Sequence, residues 1–183
     1  LEYRVIRSAR RTLALEIKDG EALVRAPRLA PRAVIDAFVR GHEDWLRARL
    51  QQERERQRAA EAAGALTPEA LRALKEEAKT VIPERVRYFS PLIGVTVKRV
   101  TIRSQQTKWG SCSSKGNLNF NCLLMLAPRE VLDSVVVHEL CHLKEMNHSE
   151  RFYAEVLRVF PEYRRWHGWL RENGSVLMAR LPK

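Results

Sequence analysis

The sequence predicts an α+β fold from three observations. Short alternating strand patterns lie near its start, long helical periodicities run from Pro31 onward, and a late strand feeds a helix carrying two histidines one turn apart. At 183 residues and 45% hydrophobic, the chain can build one compact core with an appended subdomain, and is too short for two large ones. The expected organisation is an N-terminal β subdomain plus an Arg-rich helix over 1–64, followed by a catalytic core with an antiparallel sheet over 65–183.

The elements follow in order. Tyr3 to Arg7 reads as a first strand. Leu13, Leu15 and Ile17 alternate with polar residues, Asp19-Gly20 suits a type I′ turn, and Leu23-Val24 leads to Pro27, so a hairpin comes next. Pro31 opens a helix in which Ile35, Phe38, His42, Trp45 and Leu46 share a face. The helix is expected to run through the charged segment 51–63 until Gly64 stops it, with His42 a packed or surface residue. Thr67 caps the following helix with Pro68 in its first turn. Leu71, Leu74, Ala78, Val81, Ile82, Val86 and Phe89 continue its apolar face, and Pro83 is expected to kink or split it.

Val95, Val97, Val100 and Ile102 then form a strand with an irregularity between Val97 and Val100, Gly116 to Met125 forms another, and Pro128 begins the histidine helix. Phe152, Val156, Val159 and Phe160 make an apolar stripe on a helix from Glu150 to Phe160. Trp166, Trp169 and Leu170 pack a further short helix against the core. No internal repeat is present.

The chemistry is concentrated in one segment. His138-Glu139-Leu140-Cys141-His142 is an HExxH motif: on a helix the two histidines lie on one face and can grip one divalent metal, while Glu139 is placed to take a proton from water. Histidines four apart also arise by chance and are then packed core residues. Against that reading, Leu132, Val135, Val136, Val137 and Leu140 surround the motif at helical spacing, and burying so many polar side chains without a metal or hydrogen bonds is costly.

His148 supplies a third nitrogen. Five residues separate it from His142, the interval of the extended motif HExxHxxGxxH. Glu145 stands where that pattern has glycine, so the turn is expected to use Asn147, which tolerates left-handed backbone, to end the helix, with Ser149 capping the next one. Met178 is the one downstream candidate for a methionine beneath the metal. His167 has no partner at ligand spacing and reads as structural, and Cys141 reads as a small core residue.

Trp109-Gly110-Ser111-Cys112, Asn119-Phe120-Asn121, Leu126-Ala127-Pro128, the HExxH segment and Asn147-His148-Ser149-Glu150-Arg151-Phe152 together resemble the YgjP-like metallopeptidases, relatives of the minigluzincins and SprT-like proteases. Tyr3 to Arg28 and the Arg-rich helix around Trp45 are similar to that family too, so the resemblance covers nearly the whole chain. It implies a small zincin-like catalytic domain with zinc at His138, His142 and His148 and Glu139 as general base. Some members are described as nucleotide pyrophosphohydrolases. In such peptidases a strand beside the HExxH helix carries the extended substrate, so the edge of the 116–125 strand is the expected docking edge.

Charge adds a second theme. The net charge is +11, yet the stretch containing the motif is nearly neutral, and no carboxylate lies between Arg85 and Arg129. Arg85, Arg87, Lys98, Arg99, Arg103, Lys108, Lys115 and Arg129 make that stretch basic, so part of the site's rim is expected to be electropositive. It is a solvated face, a seat for a nucleoside triphosphate (UTP-like), or a nucleic-acid dock; Arg103, Lys108 and Lys115 are the candidate contacts. Neither a Walker motif nor a nucleic-acid-binding signature accompanies it. Asn119 and Asn121 are candidates to hold substrate backbone, although their alternation with Phe120 equally suits a solvent-facing row. Trp109 reads as a loop anchor.

No stretch of about 18 apolar residues and no signal-peptide pattern is visible. Cys112, Cys122 and Cys141 form an odd set without a CxxC pair, pointing to a reducing compartment and hence the cytoplasm. The expected function is a zinc metallohydrolase, foremost a peptidase acting on peptide or protein substrates away from membranes. Metal-dependent nucleoside triphosphate pyrophosphohydrolysis, for which Mn2+ or Ni2+ would also serve, is the alternative enzyme class. A metal-stabilised nucleic-acid-binding module is the non-enzyme alternative.

Overall fold

The computed structural model describes residues 2–18 and 20–182. Asp19, half of the expected turn, lies outside the described residues. The chain is α+β and divides into two compact units, Leu1–Ala59 and Ala60–Lys183.

In the first unit, β1 (Arg4–Ser8), β2 (Ala14–Lys18) and β3 (Glu21–Pro27) form a sheet in the order β1-β3-β2. The expected hairpin is β2–β3, antiparallel with Ile17 opposite Ala22, and β1 runs parallel to β3. Ala22, Val24 and Ala26 pack with Ile35, Val39 and Leu46 in a small core. The helix expected from Pro31 is two helices. α1 (Arg32–Arg40) stops at Gly41, a poor helix former, and α2 (Glu43–Ala63) restarts with Glu43 and Asp44 in its first turn, where acidic residues suit the positive end of the helix dipole. His42 is a surface residue whose Nδ1 lies 2.8 Å from the Phe38 carbonyl.

The first helix that lies wholly in the second unit is α3 (Pro68–Ile93), capped by Thr67 Oγ1 accepting from Ala70 N–H and closed by Gly94 in the left-handed region at φ 77°. Pro83 does not split it. One buried stripe, Ala78, Ile82, Val86, Phe89 and Ile93, runs past the proline, and packing along that length outweighs one missing backbone hydrogen bond.

β4 (Arg99–Arg103), β5 (Gly110–Cys112) and β6 (Asn117–Asn121) form the second sheet in the order β4-β6-β5. The sheet is mixed rather than wholly antiparallel, because β4 runs parallel to β6 while β5 runs antiparallel to it. β4 starts later than the valine pattern suggested. β6 also ends early: Asn121 Oδ1 accepts from Leu123 N–H and turns the chain into a 3-10 turn, Cys122–Leu126. Being central, β6 has no free edge, which corrects the edge expected at 116–125; the edge strands of this sheet are β4 and β5.

α4 (Arg129–Cys141) carries the HExxH motif, followed by α5 (Glu150–Val159), capped by Ser149 Oγ, and α6 (Tyr163–Ala179). α6 is 17 residues long, not the short helix expected from its tryptophans. α4 is buried on nearly every side, against α3, β5, α5 and α6, which fixes the orientation of its polar side chains. Among the described residues, no helix is long and apolar enough to cross a membrane.

Candidate metal centre

α4 ends sooner than Asn147. Its last residue is Cys141, and His142 caps it in right-handed helical geometry (φ −62°, ψ −20°), so His138 and His142 keep their one-turn relation. Tight backbone bonds from Leu143 N–H to Leu140 and Lys144 N–H to Cys141 then turn the chain, and Nδ1 of His142 lies 3.1 Å from the Glu145 carbonyl. His148 comes back from the start of α5 toward the other two.

The three rings converge. Nε2 of His138 is 3.1 Å from Nε2 of His142 and 3.1 Å from Nε2 of His148, and one nitrogen from each ring lies within 4.8 Å of the others. A carbonyl can only accept, so Nδ1 of His142 carries the proton toward Glu145 and its Nε2 presents a lone pair. Burial, then the neighbouring imidazoles, pushes His138 down to about 3, and burial pushes His142 below its ordinary value, so both are neutral at pH 7. A single proton on His138 Nε2 could satisfy only one of its two neighbours. Lone pairs aimed at a common point are what a divalent cation satisfies, and the donor set fits one.

Groups distant in sequence hold the rings. Tyr163 Oη lies 2.8 Å from Nδ1 of His138 and 3.2 Å from Nδ1 of His167, so one hydroxyl bridges two imidazoles. Tyr163 is 3% exposed, and its hydroxyl is held above the usual phenol range by burial first. Phe152 stacks on His142 at 4.6 Å and meets His138 and His148 edge-on at 5.0 Å each, walling the cluster on its apolar side.

Glu139 faces the other way, toward β5. It is 7% exposed, and burial pushes its carboxyl up to about 7, with Lys108 pulling in the opposite direction. A Cβ on Gly110 would lie 2.6 Å from Glu139 Oε1, so only glycine lets the strand backbone approach that closely. β5 is therefore the strand edge beside the carboxylate. Cys112 on the same strand is pushed up to about 11 by burial, with a smaller contribution from Glu139.

A family model described as the YgjP-like metallopeptidase domain matches residues 65–173. The chain belongs to this family. It is similar to the crystal structure of the metallopeptidase zymogen of Pyrococcus abyssi abylysin, with 24% identity and a TM-score of 0.46 over 49% of this chain and 91% of that one. It is also similar to the metallopeptidase zymogen of Methanocaldococcus jannaschii jannalysin, with 22% identity and a TM-score of 0.45 over 50% of this chain and 94% of that one. No curated protein sequence matches it. YgjP-like membership implies a divalent metal, in accord with the three convergent imidazoles.

The other residues of this YgjP-like chain that the sequence nominated are scattered. Asn121 is buried and structural: its amide donates to the carbonyls of Gln105 (2.6 Å) and Lys108 (3.0 Å), pinning the loop before β5. Asn119 donates to Ser111 Oγ at 3.1 Å, across the β6–β5 pair. Arg103 ends β4 opposite Asn121, on the side of the sheet away from β5. Lys108 is within electrostatic reach of Glu139, and Lys115 sits in the turn between β5 and β6. Arg85 leaves the supposed basic rim, because Asp133 of α4 holds it at 2.6 and 2.9 Å.

Cys141 is fully buried and its thiol is pushed up to about 12, in keeping with a core role. Met178, the candidate for a methionine beneath the metal, packs instead with Leu66, Leu123 and Leu181 in a satellite cluster. Trp109 anchors its loop against Gly174, whose Cβ would meet the indole at 3.1 Å. Tyr163 and Gly110 are the residues that sequence reasoning did not nominate. Tyr163 follows His138 at no motif spacing, and Gly110 carried a signal only as part of the family's Trp-Gly-Ser-Cys stretch.

Proposed function

We propose that this chain is a zinc metallopeptidase that holds its metal through His138, His142 and His148 and uses Glu139 as general base. The observation that carries the reading is the pairing of three mutually facing imidazole nitrogens with a buried carboxylate one residue along, turned toward a strand edge. Zinc bound by three neutral imidazoles supplies a Lewis acid toward a carbonyl oxygen and brings the pKa of water to about 7.

The chain's own groups do the rest. Glu139, with its proton affinity raised to about 7, accepts a proton from the attacking water and returns it to the leaving amine at neutral pH. Burial within α4 keeps the carboxylate aimed at one point, and Gly110 lets it lie against the backbone of β5. An extended peptide adding to the β5 edge would bring its carbonyl past that carboxylate. A neutral His138 that presents its Nε2 lone pair carries its proton on Nδ1, where Tyr163 Oη can accept it and orient the ring.

The test combines metal analysis with cleavage of a peptide library. The purified protein should carry close to one zinc per chain, and His142→Ala should lose most of it. Glu139→Gln should keep the metal while lowering turnover by at least about a hundredfold. A metal-loaded Glu139→Gln protein with unchanged turnover would show that the chemistry resides elsewhere. Nucleotide hydrolysis and nucleic-acid binding have no support of this kind from the residues nominated for them.

A further inference from the structure

A hydroxyl, unlike a carbonyl, can face a neighbouring nitrogen either as donor or as acceptor. The difference matters at the metal centre. Nδ1 of His142 faces the Glu145 carbonyl at 3.1 Å, so its proton is fixed there and its Nε2 lone pair is free. Nδ1 of His138 faces the Tyr163 hydroxyl at 2.8 Å, and that contact by itself fixes neither nitrogen. If Oη accepts, His138 carries its proton on Nδ1 and presents a lone pair at Nε2. If Oη donates, the proton of a neutral His138 sits on Nε2, the nitrogen that lies 3.1 Å from both His142 Nε2 and His148 Nε2, and the ring cannot serve as a ligand.

The choice passes to the second partner of the hydroxyl. Tyr163 and His167 stand one turn apart on α6, where side chains four residues apart share a face, and their rings pack at 5.0 Å with planes 23° apart. Nδ1 of His167 lies 3.2 Å from Tyr163 Oη. Among the described residues these two imidazoles are the hydroxyl's hydrogen-bond partners, and Tyr163 is 3% exposed, so its single proton goes to one of them. The chain of three groups therefore has two wirings. With the proton of His167 on Nε2, its Nδ1 takes the Tyr163 proton and Oη takes the His138 proton. With the proton of His167 on Nδ1, both bonds reverse and Nε2 of His138 is blocked.

We propose that His167 is a positioning residue for the metal centre: by accepting the Tyr163 proton on Nδ1 it keeps the His138 proton on Nδ1 and leaves the His138 Nε2 lone pair to the metal. The proposal rests on the reading of His138, His142 and His148 as the metal ligands. It gives a part in that centre to a histidine that lacks ligand spacing and acts only through Tyr163. Groups that orient a ligand in this way change metal affinity by about ten- to a hundredfold, and the lower end suits a residue placed one hydroxyl further out.

The experiment uses the full chain with its histidines isotopically labelled at nitrogen, stripped of metal and titrated with zinc, as the parent, His167→Phe and His167→Asn. Phenylalanine keeps a flat ring at this exposed position but accepts no hydrogen bond, whereas asparagine offers Oδ1 close to where Nδ1 stood. Nitrogen chemical shifts should show His138 protonated on Nδ1 in the metal-free parent and shifted toward the Nε2-protonated form in His167→Phe. Zinc affinity, read by competition with a chromophoric chelator, should fall about tenfold in His167→Phe and stay near the parent's in His167→Asn. His138 protonated on Nε2 in the metal-free parent, or on Nδ1 in the parent and His167→Phe alike, overturns the proposal. So does equal zinc affinity in the parent and His167→Phe, or an equal loss in both variants, which would mark a packing role. Failure of the metal reading looks different, since the parent itself then binds no zinc. In that event the His138 tautomer in the metal-free proteins still decides whether His167 sets the direction of the relay.

Discussion

The backbone of Gly110 and the carboxylate of Glu139 pack so closely that a methyl group on Gly110 would lie 2.6 Å from Oε1 and 2.7 Å from Cγ. Two elements distant in sequence, the short strand β5 and the motif helix α4, are thereby joined at the group proposed to move the proton. Gly110→Ala should push the Glu139 side chain aside while leaving the three histidines free to bind metal. Since a misplacement of about 1 Å can cost on the order of a hundredfold in rate, kcat should fall by roughly ten- to a hundredfold with zinc content unchanged. Steady-state kinetics beside elemental analysis reads both quantities, and full activity in the alanine variant would mean that Glu139 tolerates displacement.

Tyr163 links His138 to His167 through one hydroxyl. With metal on Nε2, Nδ1 of His138 donates to Tyr163 Oη, which is then free to donate to His167. Tyr163→Phe keeps the ring and its packing but removes the acceptor, so zinc affinity should weaken by about ten- to a hundredfold, as measured by competition with a chromophoric chelator. Affinity equal to the parent's would reduce Tyr163 to a space-filling role.

Arg85 and Asp133 tie α3 to the motif helix through a two-point ion pair that is largely shielded from water, with side chains 18% and 10% exposed. The guanidinium also lies over the rings of Tyr88 at 4.7 Å and Phe89 at 5.0 Å. Removing one partner strands the other, so Asp133→Ala should cost about 3 kcal/mol in urea unfolding. Replacing both, as Arg85→Met with Asp133→Leu, should cost much less. Equal losses in the two proteins would contradict this account.

Glu155 reports on acid sensitivity. The Arg158 guanidinium, and after it the Lys144 ammonium, hold its carboxyl down to about 2, against 4.5 for an ordinary glutamate. A carboxyl whose folded pKa is depressed contributes stability that is complete above the unfolded value and is lost as pH falls through the folded one. Metal-free Glu155→Gln protein should therefore be less stable than metal-free parent at neutral pH, and the gap should close between about pH 4.5 and about pH 2. Thermal midpoints across that range measure it, and a gap that persists at pH 2 would assign the effect to packing.

What the sequence determined by itself was local. HExxH spacing on a helix, the return of His148 and the cap at Ser149 depend on backbone geometry within a few residues, and hydrophobic period alone separated strands from helices, giving the α+β class. Even the departures have local causes, such as Gly41 breaking the first long helix and Asn121 ending β6 early. The tertiary structure decided which strand offers an edge, because pairing order is not written in any one strand and β6, the expected edge, lies between two partners. It also decided which side chains serve the centre. Asn121 was absorbed into pinning a loop, Arg85 was taken by a carboxylate 48 residues away, and Tyr163 was brought to His138 across 25 residues, since burial forces each polar group to find whatever partner the packing supplies.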